Sequence, residues 1–387
     1  MSESVSIDPV ELTKSLISHP SVTPKEEGVL EELQKNLETV GFKCSRYVFE
    51  EQETDSVDNL FASYGTGSPH LCFGGHTDVV PVGNEDSWTN NPFEPVIKDG
   101  KLYGRGAADM KSAIAAFTSA AGNFINSGKF SGTLSMLITN DEEGPAINGT
   151  KKVLEAITQN GIKIDSCIVG EPTCPEKLGE MIKIGRRGSL TANLKVQGIQ
   201  GHVAYPQWTL NPIDGLTKIL NTIINTKLDE GTEDFPPSNV EIVKIDSDNA
   251  ADNVVPQSAT AQINIRYNIL QNKEGLIDLL TTIANRELAN TEYKSNVEFR
   301  NSAVPFLTKE SEFTKKIKES VDQVTGIESV FSTTGGTSDA RFFKDYCEVA
   351  EFGLVGKTAH QVDEQVNVDD ILSLAKIYEE IIRKYFS

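Results

Sequence analysis

Apolar positions in the first half of the chain follow two alternating patterns. "DPVELTKSLISH", "KEEGVLEELQKNLETVGF" and "DMKSAIAAFTSAAGNFINSG" repeat them at helical spacing, which predicts three amphipathic helices. Among these lie short, continuous apolar runs, "HLCFGG", "TLSMLITN" and "DSCIVGEP", as expected of strands buried on both faces. Strands of that kind separated by helices predict an α/β domain with a mostly parallel central sheet flanked by helices.

The pattern changes near residue 183. "SLTANLKVQGI" and "SATAQINIRYNI" alternate apolar and polar residues, and two helical stretches, "NPIDGLTKILNTIINTKL" and "GLIDLLTTIANREL", accompany them. This predicts a smaller α+β domain over 183–296, inserted between two parts of the first domain, 1–182 and 297–387. The last part holds the helix candidates "ESEFTKKIKESVDQVTG" and "DDILSLAKIYEEIIRKYF" around the short runs "SVFSTTGG" and "EVAEFGL". No repeat or low-complexity segment interrupts the pattern.

Length and charge narrow the function. A chain of 387 residues is too long for one hydrophobic core. Its balance of 36 basic against 56 acidic residues, −20, repels phosphate backbones and anionic lipid, so neither nucleic acid nor a membrane is an expected partner. "MSESVSIDPVELTKSL" has no basic stretch followed by an apolar one, and a cytoplasmic protein is expected. The cysteines, Cys44, Cys72, Cys167, Cys174 and Cys347, are odd in number and scattered, which predicts reduced, packed thiols.

Candidate chemistry lies where the strand-like runs end. "HLCFGGHTD" ends in His76 and Asp78, "LITNDEE" in Glu142 and Glu143, and "CIVGEPT" in Glu171. Side chains beyond the carboxyl ends of parallel strands converge. Asp109 in "YGRGAADMK" precedes a predicted helix and by itself reads as an N-cap. Of the five histidines, His76, His202 and His360 lie in Gly-rich or acid-rich loop contexts, "GGHTD", "GIQGHVAYP" and "GKTAHQVDEQVN". Histidines among carboxylates point to metal. Two histidines with three carboxylates suit a dinuclear zinc site in which one carboxylate bridges the ions. In "DEEG" the adjacent glutamates of an extended segment face opposite ways, so one can bind metal while its neighbour acts as general base. Asp141 reads only as a turn residue.

Other constellations are weaker. Ser189 with His202 lacks a "GxSxG" elbow, and the Gly-rich stretches at Gly65 and Gly335 lack the lysine of a phosphate loop. Arg186 in "RRGS" and Arg266 in "NIRY" read either as surface charges or as a clamp for a carboxylate.

"GGHTDVVP", "YGRGAADMK", "DEEG", "GEPT" and a late "TAH", in that order along nearly the whole chain, resemble the M20 family of dizinc metallopeptidases. The resemblance implies two zinc ions per subunit, with cobalt or manganese possible in one site. One is held by His76, Asp109 and Glu171, the other by Asp109, Glu143 and His360. Asp78 would orient His76, and Glu142 would take a proton from the attacking water and deliver it to the leaving amine. The inserted domain is implied to form a homodimer in which His202 reaches the partner's active site. "GRRGSL", "DNVVP", "INIRY" and "GGTSDARF" are similar to the branch of the family that desuccinylates diaminopimelate. Arg186, Ser189, Asn253, Arg266, Gly336 and Thr337 are then implied to grip a small dicarboxylate amide substrate. The alternatives are another M20 deacylase, such as an acetylornithine deacetylase or an aminoacylase, and a noncatalytic binding protein of the same family.

Overall fold

A computed structural model describes residues 6–387 apart from 129, 248 and 250. The chain forms two compact units, one of residues 1–184, 308–332 and 338–387, the other of 185–307 and 333–337.

The first unit is built on an eight-stranded mixed sheet. Its spatial order is Lys43–Phe49, Val57–Thr66, Gly132–Thr139, His70–His76, Ser166–Val169, Glu348–Glu351, Met181–Lys183 and Val330–Ser332. The central run, from Gly132–Thr139 through His70–His76 and Ser166–Val169 to Glu348–Glu351, is parallel, as the apolar runs predict. Every residue of His70–His76 and Gly132–Thr139 is buried, because helices cover both faces. The predicted helices form over Pro9–Ile17, Val29–Thr39, Ser112–Asn126, Glu312–Thr325 and Val368–Tyr385. At the first of these, Pro9 occupies the opening turn and Asp8 accepts from the N–H groups of Val10 and Glu11. Phe73 on the sheet stacks on Phe117 at 4.4 Å between ring centroids, and Tyr378 meets both edge-on at 5.6 and 5.5 Å. A Cβ at Gly75 would lie 2.7 Å from Met110 Cε, so the glycine lets the segment before Ser112–Asn126 sit directly on the strand.

In the second unit an antiparallel sheet, ordered Asn239–Asp246, Ser258–Tyr267, Gly188–Gln197 and Lys294–Ala303, carries helices Pro212–Ile224 and Lys273–Glu287. Strict alternation puts Leu190, Leu194, Ile263 and Ile265 into one core with Leu216, Ile219 and Leu280, leaving Ser189, Thr191, Asn264 and Arg266 on the other face. The boundary expected at 296/297 falls inside strand Lys294–Ala303, which pairs with Gly188–Gln197 along its length. The unit therefore runs on to Leu307 and takes in 333–337 as well. All five cysteines are free thiols. No described helix is long and apolar enough to cross a membrane.

Candidate metal centre

Parallel register brings the strand ends together. His76 closes its strand opposite Thr139, and the Thr77 N–H donates to Thr139 O at 2.9 Å, so the two loops leave the sheet side by side. Glu171 follows the next parallel strand, and His360 lies in the loop that follows Glu348–Glu351.

His76 is fixed by main chain. Its Nδ1 lies 2.9 Å from the carbonyl oxygen of Asp78, which only accepts, so Nδ1 carries a proton and Nε2 points at the carboxylates. The Asp78 carboxylate, expected to orient this ring, is 3.7 Å from Nδ1. It instead accepts from the N–H groups of Glu142 at 3.2 Å and Glu143 at 2.9 Å. It thereby fixes the backbone that carries both glutamates, a loop rather than the extended segment expected from "DEEG". Burial pushes the Asp78 carboxyl up to about 6, against the pull of His76 and these amides.

Asp109 does not cap the following helix. Lys111 precedes that helix, no side chain caps it, and Asp109 itself has non-helical dihedrals. One carboxylate oxygen, Oδ1, is 3.1 Å from His76 Nε2, and the other, Oδ2, is 3.3 Å from His360 Nε2. One carboxylate thus faces two imidazoles. His360, half exposed, also lies 2.7 Å from Glu143 Oε1. Glu171 Oε1 is 3.8 Å from His76 Nε2 and has no hydrogen-bond partner. Ligand atoms of His76, Glu142 and Glu171, and of His76, Asp109 and Glu143, lie within 4.8 Å of one another.

The electrostatics call for positive charge. Burial, aided by Asp109 and Glu142, drives the Glu171 carboxyl well above its ordinary range. Burial likewise pushes Glu142 up to about 8, opposed by His76 and reinforced by Asp339 and Glu143. His360 rises to about 10 through its hydrogen bonds with Asp109 and Glu143. Carboxylates packed this closely in a buried cleft repel one another unless cations lie between them. Nitrogen and oxygen donors, the orphaned Glu171 oxygen and the two-sided Asp109 together fit a dinuclear divalent-metal site.

The remaining predicted residues lie in the second unit. Ser189 pairs with Arg266 in register, and Arg186 donates to the carbonyl of Gly336 at 2.9 Å, next to Thr337. The carbonyl of Asn253 accepts from Val203 N–H at 3.1 Å, which continues the antiparallel pairing of strand Gly201–His202 with Val254–Val255. His202 Nδ1 accepts from Ala204 N–H at 3.1 Å, leaving the proton on the exposed Nε2. This unit brings Arg186, Gly336 and Thr337 together, sets Ser189 beside Arg266, and holds His202 near Asn253.

Several charges within the quoted motifs do more than the sequence revealed. Asp141 is buried and accepts from the N–H groups of Ala146, Ile147 and Asn148 at 3.1, 2.8 and 2.8 Å, so it folds the loop rather than merely occupying it. Lys111, also buried, donates to the carbonyls of Leu16 and His19 at 2.9 Å each. Asp339 accepts from Thr150 Oγ1 at 2.5 Å. Glu364 and Arg105 form a buried pair at 2.7 Å. Their only sequence signal is a charge inside a Gly-rich or loop-like stretch.

Residues 72–384 match the family described as Peptidase family M20/M25/M40. The succinyl-diaminopimelate desuccinylase of Parvibaculum lavamentivorans is 49% identical over 380 residues, covering 98% of this chain and 96% of its own. That of Pelagibacter ubique is 49% identical over 378 residues, covering 97% and 98%. Among solved structures, an M20 family metallo-carboxypeptidase from Sulfolobus solfataricus superposes with a TM-score of 0.78 at 20% identity, covering 98% of this chain and 99% of its own. Aminopeptidase PepT from Bacillus cereus gives 0.79 at 18% identity, with 98% of each chain covered. At such identity these structures speak for the fold alone.

Proposed function

The chain belongs to peptidase family M20/M25/M40, and from that premise we propose that it hydrolyses N-succinyl-LL-2,6-diaminopimelate to succinate and LL-2,6-diaminopimelate. Relatives aligned along nearly the whole chain bear the desuccinylase name. The observation that carries the chemistry is Asp109 standing between His76 and His360 at 3.1 and 3.3 Å, with Glu142 and Glu143 beside them.

In this reading His76, Asp109 and Glu171 hold one ion, and Asp109, Glu143 and His360 hold the other. Zinc suits both, and cobalt or manganese can take one of the positions. Bound divalent ions supply Lewis-acid polarisation of the scissile carbonyl and make water more acidic. Glu142 accepts a proton from the attacking water and delivers it to the departing amine, as a carboxylate held beside the ligand atoms of His76 and Glu171 can. Asp78 keeps Glu142 in place through the backbone. Arg186, Ser189, Asn253, Arg266, Gly336 and Thr337 receive the substrate's carboxylates.

The second unit is the dimerisation domain in this reading. His202, its proton on Nε2, would donate to the oxyanion in the partner's site. His202→Ala is expected to lower kcat by about 10²–10³-fold, as loss of one oxyanion donor does elsewhere. Mixing it with Glu142→Gln protein under subunit exchange should recover activity that neither variant has alone. A mixture that stays inactive after exchange contradicts the trans-acting role.

Substrate preference is tested by comparing kcat/KM for N-succinyl-LL-2,6-diaminopimelate and N-acetylornithine. The succinylated substrate is expected to be cleaved faster. Faster cleavage of acetylornithine would make the protein a different deacylase.

A further inference from the structure

The buried pair Arg105 and Glu364 lies outside the ligand set, yet it touches the backbone of the segment that carries Asp109 and of the loop that carries His360. The Glu364 carboxylate is saturated with donors. Oε2 accepts from Arg105 Nη1 at 2.7 Å and from Gly106 N–H at 3.1 Å, while Oε1 accepts from the N–H groups of Ala108 at 2.8 Å and Asp109 at 3.1 Å. The Gly104 N–H donates to the carbonyl of the same residue at 3.0 Å. Five donors from Gly104 to Asp109 thus converge on one residue of the loop bearing His360.

Arg105 closes the arrangement from the other side. Nη1 also reaches the carbonyl of Gln361 at 3.1 Å, and Nη2 those of His360 at 3.4 Å and Pro81 at 3.5 Å. The guanidinium carbon lies 5.0 Å from the centre of the Trp88 ring. Asp363, beside Glu364, accepts from the N–H and hydroxyl of Thr89 at 2.8 and 2.7 Å. Three segments, those following His76, preceding Asp109 and containing His360, are therefore tied at one planar cation. A planar fork with fixed donor directions sets angles as well as distances, which a lysine does not.

We infer that Arg105 and Glu364 are positioning residues for the dinuclear site, setting the spacing of Asp109 and His360 and so governing the ion held by Asp109, Glu143 and His360. Neither residue touches metal or substrate. The ion held by His76, Asp109 and Glu171 depends on them less, because the Asp78 carbonyl fixes His76 independently. This rests on the dinuclear reading of the centre, not on the identity of the substrate.

Metal binding to the apoprotein tests it without reference to activity. Glu364→Gln keeps the acceptor for Ala108 and Asp109 but turns an NH₂ group towards Arg105 and Gly106. Arg105→Lys keeps the charge and removes the fork. Each metal-free variant would be titrated with Co²⁺, following the visible absorption of the bound ion, with circular dichroism confirming the fold.

One of the two equivalents is expected to bind about 10–100-fold more weakly, the usual effect of losing a partner that orients a ligand. Its absorption bands should change, while the other equivalent shifts far less. Parental binding of both equivalents, or equal weakening of both, overturns the inference. If Glu364→Gln fails to fold, Arg105→Lys decides alone by the same criteria. Because the readout is stoichiometry and affinity, failure here leaves the desuccinylase reading to its own substrate comparison.

Discussion

Glu142→Gln is expected to lower kcat by about 10²–10⁴-fold while leaving two metal ions per chain, because the amide cannot take up the proton that the carboxylate accepts. Shape and loop are preserved: the Glu142 N–H still donates to Asp78, and Gln has nearly the volume of Glu. Removing a negative charge from a site that also holds Asp109, Glu143 and Glu171 costs little metal affinity if Glu142 is not a ligand. The opposite outcome is equally readable. Glu142 also offers an oxygen within 4.8 Å of ligand atoms of His76 and Glu171, so a variant that lost an ion would make it a ligand. Full activity in Glu142→Gln would remove it from proton transfer altogether. Metal analysis on the protein used for kinetics separates these results.

Asp109→Ala is expected to abolish measurable hydrolysis by a different route, the loss of bound metal. Its two oxygens stand 3.1 Å from His76 Nε2 and 3.3 Å from His360 Nε2, so in the proposed centre one substitution would withdraw a donor from both ions. Thermal melting gives an independent reading. A ligand that binds only the folded state raises stability in proportion to the logarithm of its concentration over Kd. Added Zn²⁺ should therefore raise Tm of the parent protein and a chelator should lower it, whereas Asp109→Ala should respond weakly to either. A variant that kept two ions at parental affinity would show that Asp109 does not bridge.

Much of the centre was legible in the sequence because parallel strands leave a sheet at one edge. His76, Glu142, Glu143 and Glu171 each follow an apolar run, and register alone brings them together. Asp109 was ambiguous for a local reason: an acidic residue ahead of a helix is the usual cap, and nothing within ten residues reveals two imidazoles waiting for it. The resemblance implies that Asp78 orients His76, but its carboxylate turns to Glu142 and Glu143, 64 and 65 residues away. Asp141, read as a turn residue, proved to be buried and to hold three amides of its own loop.

The sequence by itself determined most element types, the change to alternating strands after residue 183, and which residues offer side chains able to bind a metal, since period, composition and strand-end position are local properties of the chain. Only the tertiary structure decided which oxygen faces which imidazole and which buried charges serve as supports. His360 meets Glu143 across 217 residues and Glu364 meets Arg105 across 259, contacts set by strand order and loop path rather than by any neighbouring residue. The physical reason is burial: a charge withdrawn from water must find partners wherever the fold places them, and those partners are named only once the chain has closed on itself.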